Sequence, residues 1–267
     1  MEMIVSAPES KNIQRPFALA SLVETLSSSL GPNDAGFLQR VYEDGLEKYR
    51  NRLHQIGFHR LDTVLDAGCG FGQWAFALAS DVEKVIGVDV SNNRINVCNQ
   101  LAKYLGIENT HFLVATLENL PLPTESVDGI FCYSTIYLTD YRKTLKEFYR
   151  ILRKGGRIYI CTNGPGRYVY EIIQNPRSTP DFNMRLYALK TFRNTLLGRW
   201  HHLSAQNGAR IMSPSATKRR MEQIGFHILG IGPEGSVEVT RMPKKAEPFH
   251  SATYLGLTNV FEILAKK

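Results

Sequence analysis

From residue 61 onward, short apolar runs alternate with segments in which apolar residues recur every three or four positions. The runs predict strands at Thr63 to Ala67, Lys84 to Asp89, His111 to Ala115, Val127 to Cys132 and Arg157 to Thr162. The periodic segments predict helices at about 72 to 80, 91 to 105 and 139 to 152. Near-continuous apolar strands divided by amphipathic helices are the pattern of a parallel sheet with crossover helices. In the last of these helices Tyr141, Leu145, Phe148 and Leu152 share one face, and Gly155-Gly156 is expected to end it as a C-cap.

On either side of this core the rhythm changes. Residues 1 to 14 mix charge, Pro8 and serine without period and read as a flexible lead. Two helical patterns follow, and in the second Leu38, Tyr42, Leu46, Tyr49, Leu53 and Ile56 are expected on a single helix face. After the fifth strand, Asn163 to Asn207 combines Gly, Pro, aromatic and Arg residues with weak helical periods, and an inserted lid at about 164 to 207 is expected in place of a prompt helix. The pattern then resumes, with Ser213 as N-cap, Pro214 at the first helical position, Gly225 as the stop and Phe226 to Ile231 as a strand. Leu257 to Leu264 supplies a candidate final strand. The expected organisation is a lead and helical cap over 1 to 60 and one α/β domain over 61 to 267.

Composition narrows the function classes. Net charge is +7, but it is unevenly placed: residues 164 to 245 hold 13 basic and 5 acidic side chains, and the rest of the chain is nearly balanced. The cysteines Cys69, Cys98, Cys132 and Cys161 form no CxxC pair and no zinc-spaced cluster with His, so buried thiols are expected and no metal. No run approaches the ~20 apolar residues of a spanning helix. Glu2 and Glu9 stand where a signal peptide would be basic, so a cytoplasmic chain is expected. The segment Pro16 to Leu30 is apolar enough for a membrane surface, but Glu24 and its serines favour a packed or mobile helix.

The chemistry is concentrated at VLDAGCGFGQW, Val64 to Trp74, where an apolar strand ends in Asp66 and passes through Gly68, Gly70 and Gly72 into a helix. Alternate glycines allow a sharp turn and a close ligand. The spacing is GxGxG, unlike the GxGxxG of dinucleotide sites, and no GK[ST] follows as a phosphate loop requires. About twenty residues on, VIGVDVS ends the second strand at Asp89, where a carboxylate can accept both hydroxyls of a ribose. The plainer role, N-cap of the next helix, suits Ser91 better.

Together with the block LENLPLPTESVDGIFCYSTIYL and the later FYRILRKGGRIYI, these residues resemble the class I S-adenosylmethionine-dependent methyltransferase superfamily, in its UbiE-like small-molecule branch. The resemblance covers about Leu61 to Cys161 and implies a doubly wound, mostly parallel seven-stranded sheet. It implies further that Asp66, Gly68 and Gly70 embrace the methionine part of S-adenosyl-L-methionine, Asp89 the ribose, and Thr116 with Leu117 the adenine edge. Cys69, Gln73, Val90 and Tyr133 complete the implied cofactor set. Family members usually carry an aspartate where this chain has Thr116, whose hydroxyl accepts more weakly.

At the end of the fourth strand stands Cys132-Tyr133-Ser134-Thr135, without the Asn/Asp-Pro-Pro-aromatic block that nucleobase amino methyltransferases share. Tyr133 and Tyr137 are candidates to face the sulfonium or the acceptor. Methyl transfer is an in-line displacement and needs a base only for a neutral hydroxyl acceptor, for which His201 or His202 is the candidate. The expected acceptor is a small molecule of anionic character, with Arg167, Arg177, Arg185, Arg193 and Arg199 as candidate partners. Two alternatives are an RNA methyltransferase, in which the basic segment follows a phosphate backbone, and a non-catalytic adenosyl-ligand-binding protein.

Overall fold

The computed structural model describes residues 15–176, 178–199, 203–204, 207–239 and 245–267. Five parallel strands form the sheet's main body: β1 (Thr63–Ala67), β2 (Lys84–Asp89), β3 (Thr110–Val114), β4 (Val127–Tyr133) and β5 (Leu152–Asn163). Two more strands, β6 (His227–Pro233) and β9 (Val260–Lys266), complete the order β3-β2-β1-β4-β5-β9-β6, with β9 antiparallel to both neighbours. A two-stranded hairpin, β7 (Thr253–Tyr254) with β8 (Leu257–Thr258), precedes β9. The apolar run Leu257 to Leu264 is thus divided between hairpin and sheet.

The crossovers are α4 (Gln73–Ala79), α5 (Asn92–Leu105), α6 (Tyr141–Ile151) and α9 (Pro214–Ile224). Leu145, Phe148 and Ile151 of α6 and Met221 of α9 share one buried cluster with Leu65, Ile130, Ile158 and Ile263 of the sheet. Trp74, Ala75 and Leu78 of α4 pack on the other face with Val64, Val85, Phe131 and Tyr159. The strand order reverses beside β1, so β1 and β4 diverge at their C-terminal ends, where open α/β sheets bind ligands.

Three expectations are corrected. The stripe from Leu38 to Ile56 is not one helix: α2 (Pro32–Tyr42) and α3 (Glu47–Gln55) are divided at Gly45, whose φ of 71° breaks the helical path. Five of the six apolar residues are nevertheless buried, and Leu46, partly buried, bridges two clusters. The pair Gly155-Gly156 does not cap α6, which ends at Ile151 with Leu152 already extended. The glycines lie inside β5, at an irregular stretch that aligns Leu152 with Val127 and Arg157 with Gly129. A helix does follow β5 promptly: α7 (Pro165–Gln174) starts on Gly164-Pro165, and α8 (Met184–Leu196) packs against it.

The N-terminal helix α1 (Arg15–Ser27) packs on α2, and both share a core with Phe71, Phe76, Val97 and Leu101. Ser213 caps α9, Pro214 opens it and Gly225 closes it in the left-handed region, as the sequence predicts. No helix of the described residues is long and apolar enough to cross a membrane.

Candidate functional site

The turn between β1 and α4 is built from backbone first. Gly68 and Cys69 donate their amides to the Val88 carbonyl at 2.7 and 2.9 Å, which ties the turn to the end of β2. Gly68 has a φ of 80°, and a Cβ there would stand 2.3 Å from the Thr135 side chain. Gly70 has a φ of 56°, with the Phe37 ring 3.2 Å from where a Cβ would be. The turn is therefore enclosed by Thr135 beyond β4 on one side and by α2 on another.

Two acids stand over this turn. Asp89 is buried and accepts from the Gly70 amide at 3.1 Å through Oδ2 and from the Ser91 amide at 2.9 Å through Oδ1. Ser91 is the helix cap, its hydroxyl accepting from the Arg94 amide. Asp66 is almost wholly buried, and its Oδ2 has no hydrogen-bond partner. Burial pushes its carboxyl up to about 8, against a lowering by the Ala75 amide, and nearby Asp89 adds to the rise. Gln73 Oε1 is a second buried acceptor without a partner. An orphaned carboxyl and an orphaned amide oxygen at one turn fit a ligand that brings a cationic or N–H donor group.

Around these, Cys69 is buried, and the neighbouring Cys98 thiol together with burial holds its thiol well above the usual range. Leu117 is buried, whereas Thr116 and Val90 are exposed. All four cysteines are free and buried, as expected. Among the described residues no His/Cys/Asp/Glu group could hold a metal.

Tyr133 is engaged in a way its sequence position did not suggest. Its hydroxyl donates to Glu234 Oε1 at 2.5 Å, and its ring packs on Trp74 and Phe249. Burial and the neighbouring anions hold the phenol well above its usual range, so it acts as a donor. Glu234 Oε2 in turn accepts from the His250 amide and pairs with His250 Nδ1, each at 3.0 Å. Burial pushes the Glu234 carboxyl up, but the bonds from His250 and Tyr133 outweigh it and leave it lowered. Among the described residues His250 Nε2 makes no hydrogen bond. Glu234 and His250 lie past β6 and before β9, at the same end of the sheet as Asp66 and Asp89.

His201, His202 and Arg177 lie outside the described residues. Of the other arginines, Arg167 is buried on Glu171 at 2.9 Å, while Arg185, Arg193 and Arg199 are exposed. Tyr137 is part-buried beside Tyr168, and burial raises its phenol.

This sheet order, with a glycine turn after β1 and an acid ending β2, defines the class I, Rossmann-like methyltransferase fold. Residues 64–156 match the family described as "Methyltransferase domain". Over 98 residues it is 38% identical to the "Uncharacterized methyltransferase YcgJ" of Bacillus subtilis, covering 36% of this chain and 39% of the relative. Over 115 residues it is 34% identical to a demethylmenaquinone methyltransferase of Lactococcus lactis, covering 41% and 45%. The chain thus spans less than half the length of these two relatives. Among solved structures, geranyl diphosphate C-methyltransferase from Streptomyces coelicolor, bound to S-adenosyl-L-homocysteine, superposes with a TM-score of 0.57 at 17% identity, covering 82% of this chain and 78% of the other.

Proposed function

We propose that the chain transfers a methyl group from S-adenosylmethionine to a small-molecule acceptor. The observation that carries this is the unpartnered Oδ2 of buried Asp66, beside a glycine turn and under the carboxylate of Asp89. In this reading Asp66, Gln73 and the backbone of Gly68 to Gly70 hold the amino-acid end. Asp89 holds the ribose, and Val90, Thr116 and Leu117 line the adenine edge. When bound, the cofactor supplies an electrophilic methyl group on a sulfonium.

The chain's own part is alignment and exclusion of water, with Tyr133, Trp74 and Phe249 as the aromatic wall. For an acceptor that must lose a proton, His250 is the group the chain holds ready. Glu234 fixes its Nδ1 as the protonated nitrogen and leaves Nε2 to accept. An anionic acceptor draws support from the basic segment over 164 to 245, but Arg167 is already spent on Glu171 and the other described arginines of that set are exposed. That charge supports a surface role better than a pocket role.

The test is S-adenosylhomocysteine binding by calorimetry, followed by turnover of labelled methyl donor against a panel of small hydroxyl and amine acceptors. Tight binding with turnover of one acceptor is the expected result. Binding without turnover of any acceptor would favour an adenosyl-ligand-binding protein instead.

A further inference from the structure

Helix α8 is apolar on two faces: Tyr187 and Ala188 are buried in a cluster with Tyr168 and Ala209, against which Met184 and Phe192 pack. Its buried residues are Tyr187, Ala188, Thr191 and Asn194, mostly small or polar. Thr191 and Asn194 are held by hydrogen bonds: the Ala209 amide donates to Thr191 Oγ1 and Asn194 Nδ2 donates to the Asn207 carbonyl, both at 2.9 Å. The outward face carries leucines as well. Leu186, Leu189 and Leu196 are 49%, 51% and 85% exposed, and Leu197 beyond the helix end is 59% exposed. At about 100° per residue, Leu186, Leu189, Arg193 and Leu196 fall within roughly 80° of one another on the helix surface. Scattered exposed leucines are ordinary, but an apolar stripe on the face away from the core calls for an occupant.

The charge around the stripe says which. From Met184 to Arg199 the charged residues are Arg185, Lys190, Arg193 and Arg199, and none is acidic. On α8 itself Arg193 interrupts the leucine stripe, and Arg185 flanks it, with its Nε on the Ile172 carbonyl at 2.8 Å. An apolar face set among cations complements a surface that is apolar below and anionic above. Nucleic acid would satisfy the arginines but leave the leucines in water. A second copy would cover the leucines but bring like charges together.

We propose that the outer face of α8 seats this protein on an anionic lipid bilayer, the leucines entering the boundary below the headgroups and the arginines pairing with lipid phosphates. The seat is distinct from α1, whose Val23 and Leu26 are buried in the core.

The experiment is flotation of the full chain with vesicles of equimolar phosphatidylcholine and phosphatidylglycerol, and with phosphatidylcholine alone. Binding to the anionic vesicles should be lost in about 1 M salt, where the Debye length is ~3 Å. The pair Leu189→Ser and Leu196→Ser should lower partitioning about tenfold or more. The pair Arg185→Gln and Arg193→Gln should lower it by a similar factor on anionic vesicles only, since each basic group near such a surface contributes about fivefold. Melting temperature and S-adenosylhomocysteine affinity should stay unchanged in both, which separates this seat from the proposed cofactor site. The proposal is overturned if the chain does not float with anionic vesicles, or if the leucine pair floats as well as the parent. It is equally overturned if the leucine pair instead dissolves a dimer, or if RNA competes with vesicles and only the arginine pair responds.

Discussion

A carboxyl group as buried as that of Asp66 is costly when ionised and becomes useful when a cation arrives. Its pKa of about 8 lies above that of an unfolded aspartate, so the folded ligand-free chain holds a proton there that the unfolded chain releases. By linkage, this group's contribution to stability is fully present below pH ~4 and is lost as pH rises toward 8. Asp66→Asn should therefore raise the melting temperature of the ligand-free chain strongly at pH 8.5 and much less at pH 5, where the parent has lost only the first part of that contribution. The same change should abolish S-adenosylhomocysteine binding, and in the parent that binding should weaken as pH falls below 8 because the proton must leave. Melting temperatures equal at both pH values would show that Asp66 titrates normally. Asp89 needs a finer change, because its carboxylate also anchors the Gly70 and Ser91 amides. Asp89→Asn keeps one acceptor oxygen and should cost about 2 kcal/mol of binding, read by calorimetry, whereas Asp89→Ala would also loosen the turn. These residues were legible in the sequence because turn, strand end and acid are close along the chain. Glu234 and His250 were not, since Glu234 meets Tyr133 across 101 positions and no local pattern marks the pair.

At the scale of elements, the strand cores of the main sheet were legible within a residue or two, because a buried strand must be apolar throughout. Where elements end was less so. The break at Gly45 was hidden because Leu46, Tyr49 and Leu53 keep the helical period across it, and the early start of β5 was hidden by the polar stretch Arg153 to Gly156. What the sequence could not indicate is how α2 meets the glycine turn. Arg94 of α5 pairs with Asp34 of α2 at 2.7 Å and lies over the rings of Phe37 and Phe71, so α2 is pinned where Phe37 closes on Gly70. If that closure retains the cofactor, Asp34→Ala should speed S-adenosylhomocysteine dissociation several-fold in stopped-flow displacement. It should cost only about 0.5 kcal/mol of stability, because both partners of the pair are partly exposed. An unchanged off-rate would mean that α2 packs beside the site without gating it.

Over the whole molecule, the alternation of strand and helix indicated a doubly wound sheet, but the antiparallel β9 was not legible, because an apolar run carries no direction. That strand matters beyond the sheet, since its Glu262 joins distant parts of the chain. Glu262 Oε2 accepts from Arg52 Nη1 at 3.2 Å and from the Tyr159 hydroxyl at 2.6 Å, and Oε1 accepts from the Val237 amide at 2.6 Å. Arg52 also donates to the Glu247 carbonyl at 2.9 Å. One buried ion pair thus links α3, β5, β9 and the segments on either side of residues 240–244. A buried pair adds little net stability over an apolar substitute, but removing one partner strands the other. Glu262→Gln should therefore cost about 3 to 5 kcal/mol in urea denaturation, because an uncompensated guanidinium remains where water cannot reach it. Arg52→Met should cost less, since Glu262 would keep two donors. In the double variant the stranded charge is gone, so its cost should fall below the sum of the singles by at least about 1 kcal/mol. Strictly additive costs would show that Arg52 and Glu262 are held by their separate surroundings and not by each other.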